Sequence, residues 1–221
     1  MIVCGIDEAG KGPVLGPLIV CGLCYKTGDL IHLEEIGVKD SKKLSKQKRE
    51  ELIDLIIEKS CGYKVVKISA NEIDEREKHR INLNKLEVIK IVDILNKLKP
   101  DIIYVDAIDV DEHRFGRLLK SSLTYTPNKL VSKHKADDLF PIVSAASIIA
   151  KVTRDRSVEK LKKKYGDMGS GYSSDRKTID FLRKWIKTNG KAPEFARRTW
   201  KTTKRILEEE VNNTKITDFF S

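Results

Sequence analysis

The stretch Ile2-Val3-Cys4-Gly5-Ile6-Asp7-Glu8-Ala9-Gly10-Lys11-Gly12-Pro13 decides how the rest of the chain is read. Its first five residues form a short apolar run that stops at two acids, the pattern of a strand that delivers carboxylates at its end. A turn rich in Gly and Pro follows, closed by Gly16-Pro17; glycines in such a turn let backbone N–H groups approach a bound group closely. Leu18 to Tyr25 reads as the next strand. Farther out the first motif recurs, because Ile102-Ile103-Tyr104-Val105 is a second buried run that ends in an acid, Asp106. In open α/β sheets, strand ends of this kind converge on the crevice that binds ligands.

The remaining elements fill in around these strands. Residues 45–59 carry a helical pattern, with Leu52, Leu55, Ile56 and Ile57 on one side and Ser45 as N-cap. Tyr63 to Ile68 is β-branched and alternating, which predicts a strand. Ser69-x-x-Glu72 matches a capping box. Leu83 to Leu98 predicts a helix that buries Leu83, Leu86, Ile89, Val92 and Leu95 and stops before Pro100. Leu123 to Val131 reads as an edge strand interrupted by Pro127. From Asp138 onward the period is helical, with helices expected over 143–164, 174–187 and 194–211. Mixed strands and helices followed by helices alone predict an α/β core with a helical C-terminal subdomain. The expected division is a catalytic core at 1–165, a helical part at 166–207 and a tail at 208–221.

Composition narrows the function classes. The 221 residues are 40% hydrophobic and 34% charged, the balance of a soluble globular chain, and no apolar run is long enough to span a bilayer. The N-terminus meets two acids at once and lacks the basic start of a signal peptide, so a cytoplasmic location is expected. Cys21-x-x-Cys24 has metal or redox spacing, but it sits inside an apolar run with no second pair, so buried reduced thiols are expected. The formal net charge of +10 is concentrated. Residues 151–205 hold 18 Lys/Arg against 6 Asp/Glu, while the rest of the chain is close to neutral. Positive charge collected in one segment is the footprint of a polyanion-binding face.

The acids supply the chemistry. Asp7, Glu8 and Asp106 lie at strand ends, and Asp137 precedes a long helix in Lys133-His134-Lys135-Ala136-Asp137-Asp138. Carboxylates forced together do not all stay ionised unless a cation joins them. Hard divalent ions prefer such oxygen ligands, and two of them can act on a phosphodiester.

Asp7-Glu8-Ala9-Gly10-Lys11-Gly12-Pro13-x-x-Gly16-Pro17 strongly resembles the N-terminal signature of type 2 ribonucleases H (ribonuclease HII), here of archaeal type. Further matching segments follow in the family's order: Asp40-Ser41-Lys42-Lys43-Leu44, Val105-Asp106, Lys135-Ala136-Asp137, Ser144 to Asp155, and Gly169-Ser170-Gly171-Tyr172. The resemblance runs to about Thr203. It implies a ribonuclease H-like mixed sheet flanked by helices. It also implies a monomeric endonuclease for RNA/DNA hybrids and for single ribonucleotides in duplex DNA, leaving 5′-phosphate and 3′-hydroxyl ends. The implied catalytic and metal-holding carboxylates are Asp7, Glu8, Asp106 and Asp137, with Asp138 as the adjacent alternative, around two Mg²⁺ or Mn²⁺ ions. Gly10-Lys11-Gly12 and Tyr172 take the positions that sense the 2′-hydroxyl, the group that separates RNA from DNA. The family's usual Arg is replaced here by Lys11, which lacks a planar bidentate contact. Lys42, Lys43, Lys151 and Arg154 are expected phosphate contacts. His134, close to Asp137 in sequence, is read as an incidental loop histidine, the alternative being a helper in proton transfer or product release.

The tail resembles the clamp-binding peptide of replication and repair proteins. Ile216, Phe219 and Phe220 fit its spacing, with Asn213 where that motif has Gln. A sliding clamp is therefore an expected partner. Two other readings of the chain are a ribonuclease H-fold nuclease for DNA junctions and a non-catalytic hybrid-binding module. The loop-and-tyrosine pair speaks against the first, and the four acids speak against the second.

Overall fold

The structure is a computed structural model that describes residues 1–38 and 44–219, without the side chains of 211–219. In chain order the described elements are β1 (Ile2–Ala9), β2 (Leu18–Lys26), α1 (Ile31–Glu35), α2 (Lys46–Glu58), β3 (Gly62–Ile68), α3 (Ala70–Glu75) and α4 (Leu83–Leu98). They continue with β4 (Ile102–Asp106), α5 (Glu112–Ser122), β5 (Lys129–Lys133), α6 (Ala136–Leu139), α7 (Pro141–Tyr165), α8 (Arg176–Asn189) and α9 (Lys201–Phe219). The chain folds into two compact units. One comprises Met1–Ala9, Ile19–Lys67 and Ile81–Thr153; the other comprises Gly10–Leu18, Ile68–Arg80 and the chain from Arg154 onward.

The first unit is built on a five-stranded mixed sheet in the order β3-β2-β1-β4-β5. The pair β1 and β2 is antiparallel, while β1 with β4 and β4 with β5 are parallel. Both faces of β1 are covered. Val3 and Ala9 join a core with Leu52, Ile53 and Ile56 of α2 and the apolar start of α7. On that face Gly5 admits the helix: a Cβ there would stand 2.3 Å from the Ile142 carbonyl oxygen. On the other face a Cβ on Gly22, the register partner of Ile6, would run into Ile94 of α4. Successive residues of a strand face opposite ways, so α7 and α4 lie on opposite faces of the sheet.

The second unit has a smaller core of Val14, Leu15, Met168, Leu182, Ile186, Ala196 and Ile206, with Phe181, Phe195 and Trp200 packed against it. Residues 14–16 run beside 195–197: Leu15 bridges Ala196, the Gly16 N–H donates to the Phe195 carbonyl at 2.8 Å, and the Arg197 N–H donates to the Val14 carbonyl at 2.9 Å.

Several expectations are met locally. Ser45 and Ser69 accept hydrogen bonds from the N–H groups of Lys48 and Glu72, each at 3.1 Å, and so cap α2 and α3. Cys4, Cys21 and Cys24 are buried free thiols, and Cys61 is an exposed one. Among the described residues no helix is long and apolar enough to cross a membrane.

Other expectations are corrected. Leu55 is 42% exposed and Ile89 is 40% exposed, so α2 buries Leu52, Ile53 and Ile56, and α4 buries Leu86, Val88, Ile91, Ile94 and Leu95. The edge strand β5 begins only at Lys129, after Pro127. Helix α5 was not expected at all. The last helix starts at Lys201 rather than Glu194, and the intervening residues form the extended and turn segment that runs beside 14–16.

Candidate active site

Register brings the acids of the first unit together. Because Ile6 pairs with Val105 on the parallel strand, Asp7 and Asp106 follow side by side at the same end of the sheet. Asp106 in turn pairs with Lys133 of β5. The chain then turns through Lys135, which holds a left-handed conformation with φ 55°. That turn lets the Ala136 N–H donate to Asp106 Oδ1 at 2.8 Å. Asp137 follows immediately and is 5% exposed, whereas Asp138 is exposed; of the two neighbours, Asp137 is the one turned inward. Glu8 is half-buried, and its N–H donates to Asp7 Oδ1 at 2.8 Å.

Asp7 carries the electrostatic cost of this arrangement. It is 6% exposed. Burial, reinforced by the charges of Asp106 and Asp137, pushes its carboxyl up to about 7, against the opposing hydrogen bonds from Ser147 and the Glu8 N–H. Ser147, fully buried on α7, was not singled out in the sequence. One serine within the run Ser144 to Ser147 carries no signal until α7 is laid against β1.

Among the described residues no three His, Cys, Asp or Glu side chains stand close enough together to hold an ion as they are. The donor set nevertheless fits a hard divalent cation. It consists of carboxylate oxygens, and Asp7 is raised first by burial and further by the charges of Asp106 and Asp137, a cost that a cation would relieve.

The second unit gathers a different group. Gly10 has φ 90°, and a Cβ on it would stand 2.8 Å from the Pro17 carbonyl oxygen, so the turn requires glycine there. Gly12 lies against Tyr172: a Cβ on Gly12 would be 3.6 Å from the tyrosine ring. The connection is also made through the backbone, since the Val14 and Leu15 N–H groups both donate to the Gly171 carbonyl, at 2.8 and 3.1 Å. Tyr172 is 39% exposed. The guanidinium of Arg154 sits 5.1 Å from its ring centroid and is fixed by bonds to the Ser170 carbonyl at 2.6 Å and to Asp155 at 3.0 Å. Arg154, the expected phosphate contact, packs over the Tyr172 ring.

Sequence reasoning missed Arg197, which is completely buried. Its Nη1 donates to the Lys11 carbonyl at 2.7 Å and its Nη2 to the Gly10 carbonyl at 2.5 Å; Nε and Nη2 both reach the Gly16 carbonyl at 3.2 Å. Burial, with nearby Arg154, lowers its pKa to about 10, so the group remains charged at neutral pH.

The other sequence candidates are dispersed. Lys151 lies half-buried on α7. The ring of His134 is within 3.1 Å of the Val110 carbonyl, tying down its loop. Lys42, Lys43 and Phe220 lie outside the described residues, as do the side chains of Ile216 and Phe219.

The mixed sheet, with parallel strands presenting acids at one end, has the ribonuclease H-like architecture. The profile of the ribonuclease HII family matches residues 4–203, and the chain belongs to that family. A ribonuclease HII from Thermococcus onnurineus is 48% identical over 95% of this chain and 91% of its own length. The crystal structure of ribonuclease H2 from Pyrococcus horikoshii superposes with a TM-score of 0.90 at 46% identity, covering 96% of this chain and 99% of that one. The ribonuclease HII in a complex with PCNA from Archaeoglobus fulgidus matches with a TM-score of 0.83 at 44% identity, covering 91% of this chain and 96% of that one. Family membership makes the protein a ribonuclease H, a nuclease acting on RNA/DNA hybrids.

Proposed function

We propose that this ribonuclease H also cuts at a single ribonucleotide embedded in duplex DNA, leaving 5′-phosphate and 3′-hydroxyl ends. The observation that carries this reading is the packing of the Gly10-Lys11-Gly12 loop against Tyr172. An enzyme that recognises a lone ribonucleotide must read one 2′-hydroxyl rather than the shape of a long hybrid. A glycine loop beside a half-exposed tyrosine offers backbone donors and a ring edge at the scale of one sugar.

Asp7, Glu8, Asp106 and Asp137 would hold two Mg²⁺ or Mn²⁺ ions. Bound there, such ions lower the pKa of water and neutralise charge on the phosphate. The chain's own part is positional. Ser147 and the Glu8 N–H orient Asp7, and the Ala136 N–H orients Asp106. Lys151 and Arg154 would meet phosphates, as would Lys42 and Lys43. Contacts of this kind place a duplex without reading its sequence.

For the tail we propose binding to a sliding clamp through Ile216, Phe219 and Phe220. A related ribonuclease HII has been solved in a complex with PCNA, which supports this assignment. A synthetic 208–221 peptide should bind a cognate clamp in calorimetry, and a flat titration would remove the proposal.

The enzymatic reading is tested by cleavage of a labelled DNA duplex carrying one ribonucleotide, with Mg²⁺, Mn²⁺ or EDTA, beside an all-DNA duplex and the Asp7→Asn variant. Metal-dependent cutting at the ribonucleotide alone, lost in the variant, is expected. Cutting of the all-DNA duplex would assign a different substrate, and binding without cutting would favour a hybrid-binding module.

A further inference from the structure

A buried arginine usually faces a carboxylate. Arg197 instead directs its donors at carbonyl oxygens of one loop, those of Gly10, Lys11 and Gly16. The indole N–H of Trp200 adds a fourth carbonyl, that of Gly12, at 3.3 Å. The two side chains support each other, with the Arg197 guanidinium 4.9 Å from the Trp200 ring centroid. Arg76 also approaches that ring at 5.2 Å, and it is itself fixed by Thr199 at 3.0 Å.

Such a device is a poor choice for stability alone. Replacing a buried charged group by apolar residues of similar volume is often neutral or stabilising. What a guanidinium supplies and an apolar residue does not is a planar fork of donors at fixed angles. The fork fixes the peptide planes of the Gly10 and Lys11 carbonyls, and with the second of them the direction of the Gly12 N–H.

We infer that Arg197, with Trp200, is a positioning residue for cleavage: the pair holds the carbonyls of Gly10, Lys11, Gly12 and Gly16 so that the Gly12 N–H, which shares a peptide plane with the Lys11 carbonyl, is set for a ribose 2′-oxygen. This rests on the reading that the loop senses that hydroxyl. Arg197 is fully buried with its donors turned to the loop, so it supplies no direct contact to a duplex. Its loss leaves the duplex bound through its phosphates while the sugar is misaligned.

The test measures the single-turnover cleavage rate and the half-saturating enzyme concentration on a one-ribonucleotide duplex, using full-length protein checked by circular dichroism. Lysine offers one point donor instead of a fork. Arg197→Lys should therefore lower the saturated rate by about tenfold or more while the half-saturating concentration stays within about threefold. A saturated rate within about twofold of the wild type overturns the inference, as does a loss confined to the half-saturating concentration. If Arg197→Lys does not fold, Trp200→Phe decides, because it keeps a ring and removes only the donor to Gly12. A rate loss at constant half-saturation then supports the inference, and an unchanged rate overturns it. The wild-type control separates the two levels. If the wild type does not cut at the ribonucleotide, the reading of the loop fails and the inference with it. If the wild type cuts there and both variants keep its rate, only the inference fails.

Discussion

The backbone N–H of Ala136 donates to Asp106 Oδ1 at 2.8 Å, so the strand that carries one candidate ligand is tied to the turn that carries the next. An asparagine at 106 would keep that acceptor and lose the charge. Asp106→Asn should therefore retain the fold and lose more than about a hundredfold in cleavage rate, the scale on which misplaced electrostatics act. In EDTA the same variant should melt about 2–4 °C higher than the wild type, because one member of a repelling group is gone. Calorimetric scans read the second outcome. A lower Tm would show that the Asp106 charge is already compensated within the protein.

The raised carboxyl of Asp7 makes stability depend on pH. Its folded value of about 7 lies above the ordinary 3.8, so the folded state binds the proton more tightly than the unfolded state. That contribution is fully present below about pH 4 and is lost as the pH rises through 7. Urea melts of metal-free protein should show stability falling between pH 5 and pH 8, by up to about 1.4 kcal/mol per pH unit. Asp7→Asn should flatten the slope over that window. A wild-type profile that is already flat there would contradict the origin assigned to the shift.

Gly10→Ala places a methyl 2.8 Å from the Pro17 carbonyl, at a φ of 90°. The strained conformation costs about 1–3 kcal/mol. Thermal unfolding should reveal that cost, and cleavage at a single ribonucleotide should fall further than binding to the duplex. A variant that matches the wild type in both would show that the turn has another conformation open to it.

Asp74 is buried and accepts from the N–H groups of Arg198 and Thr199, at 2.8 and 3.0 Å, and from the Thr199 hydroxyl at 2.8 Å. Asp74→Ala strands these donors and should destabilise the protein by about 2–3 kcal/mol. Denaturant melts measure this directly, and a loss under about 0.5 kcal/mol would place the restraint on residues 198–199 elsewhere.

Lys11→Arg should change single-ribonucleotide cleavage by less than about tenfold. The Lys11 carbonyl is held by Arg197 whichever side chain stands at this position. A larger change, measured at saturating enzyme, would bring the side chain into substrate contact.

The strands and most helices were legible because their signals are local. The runs of β1 and β4 each end at an acid, and Ser45 and Ser69 cap the helices they precede. Helix faces were read less well. A march of Leu83, Leu86, Ile89, Val92 and Leu95 steps by three, and on a 3.6-residue helix such a line winds around the surface. Ile89 therefore emerges, and the buried stripe alternates steps of three and four through Ile91 and Ile94. Helix α5 was missed because only Phe115 and Leu119 are buried in it, too few to set a period. Arg197 was invisible for a different reason. In a segment crowded with lysine and arginine, nothing local separates a buried guanidinium from a solvated one. Only the pairing of 14–16 with 195–197, about 180 positions away, gives it carbonyls to bind.

The dispersion of the acids along the chain has a consequence for synthesis. Asp7 lies in β1, and its neighbours come later in the chain, from β4 and from the turn after β5. A nascent chain that ends before β5 lacks both Asp137 and the α7 that packs over β1. Domains fold as units once their sequence is complete. The candidate centre therefore forms as one late event, and a product truncated before β5 should carry no cutting activity toward nearby nucleic acid.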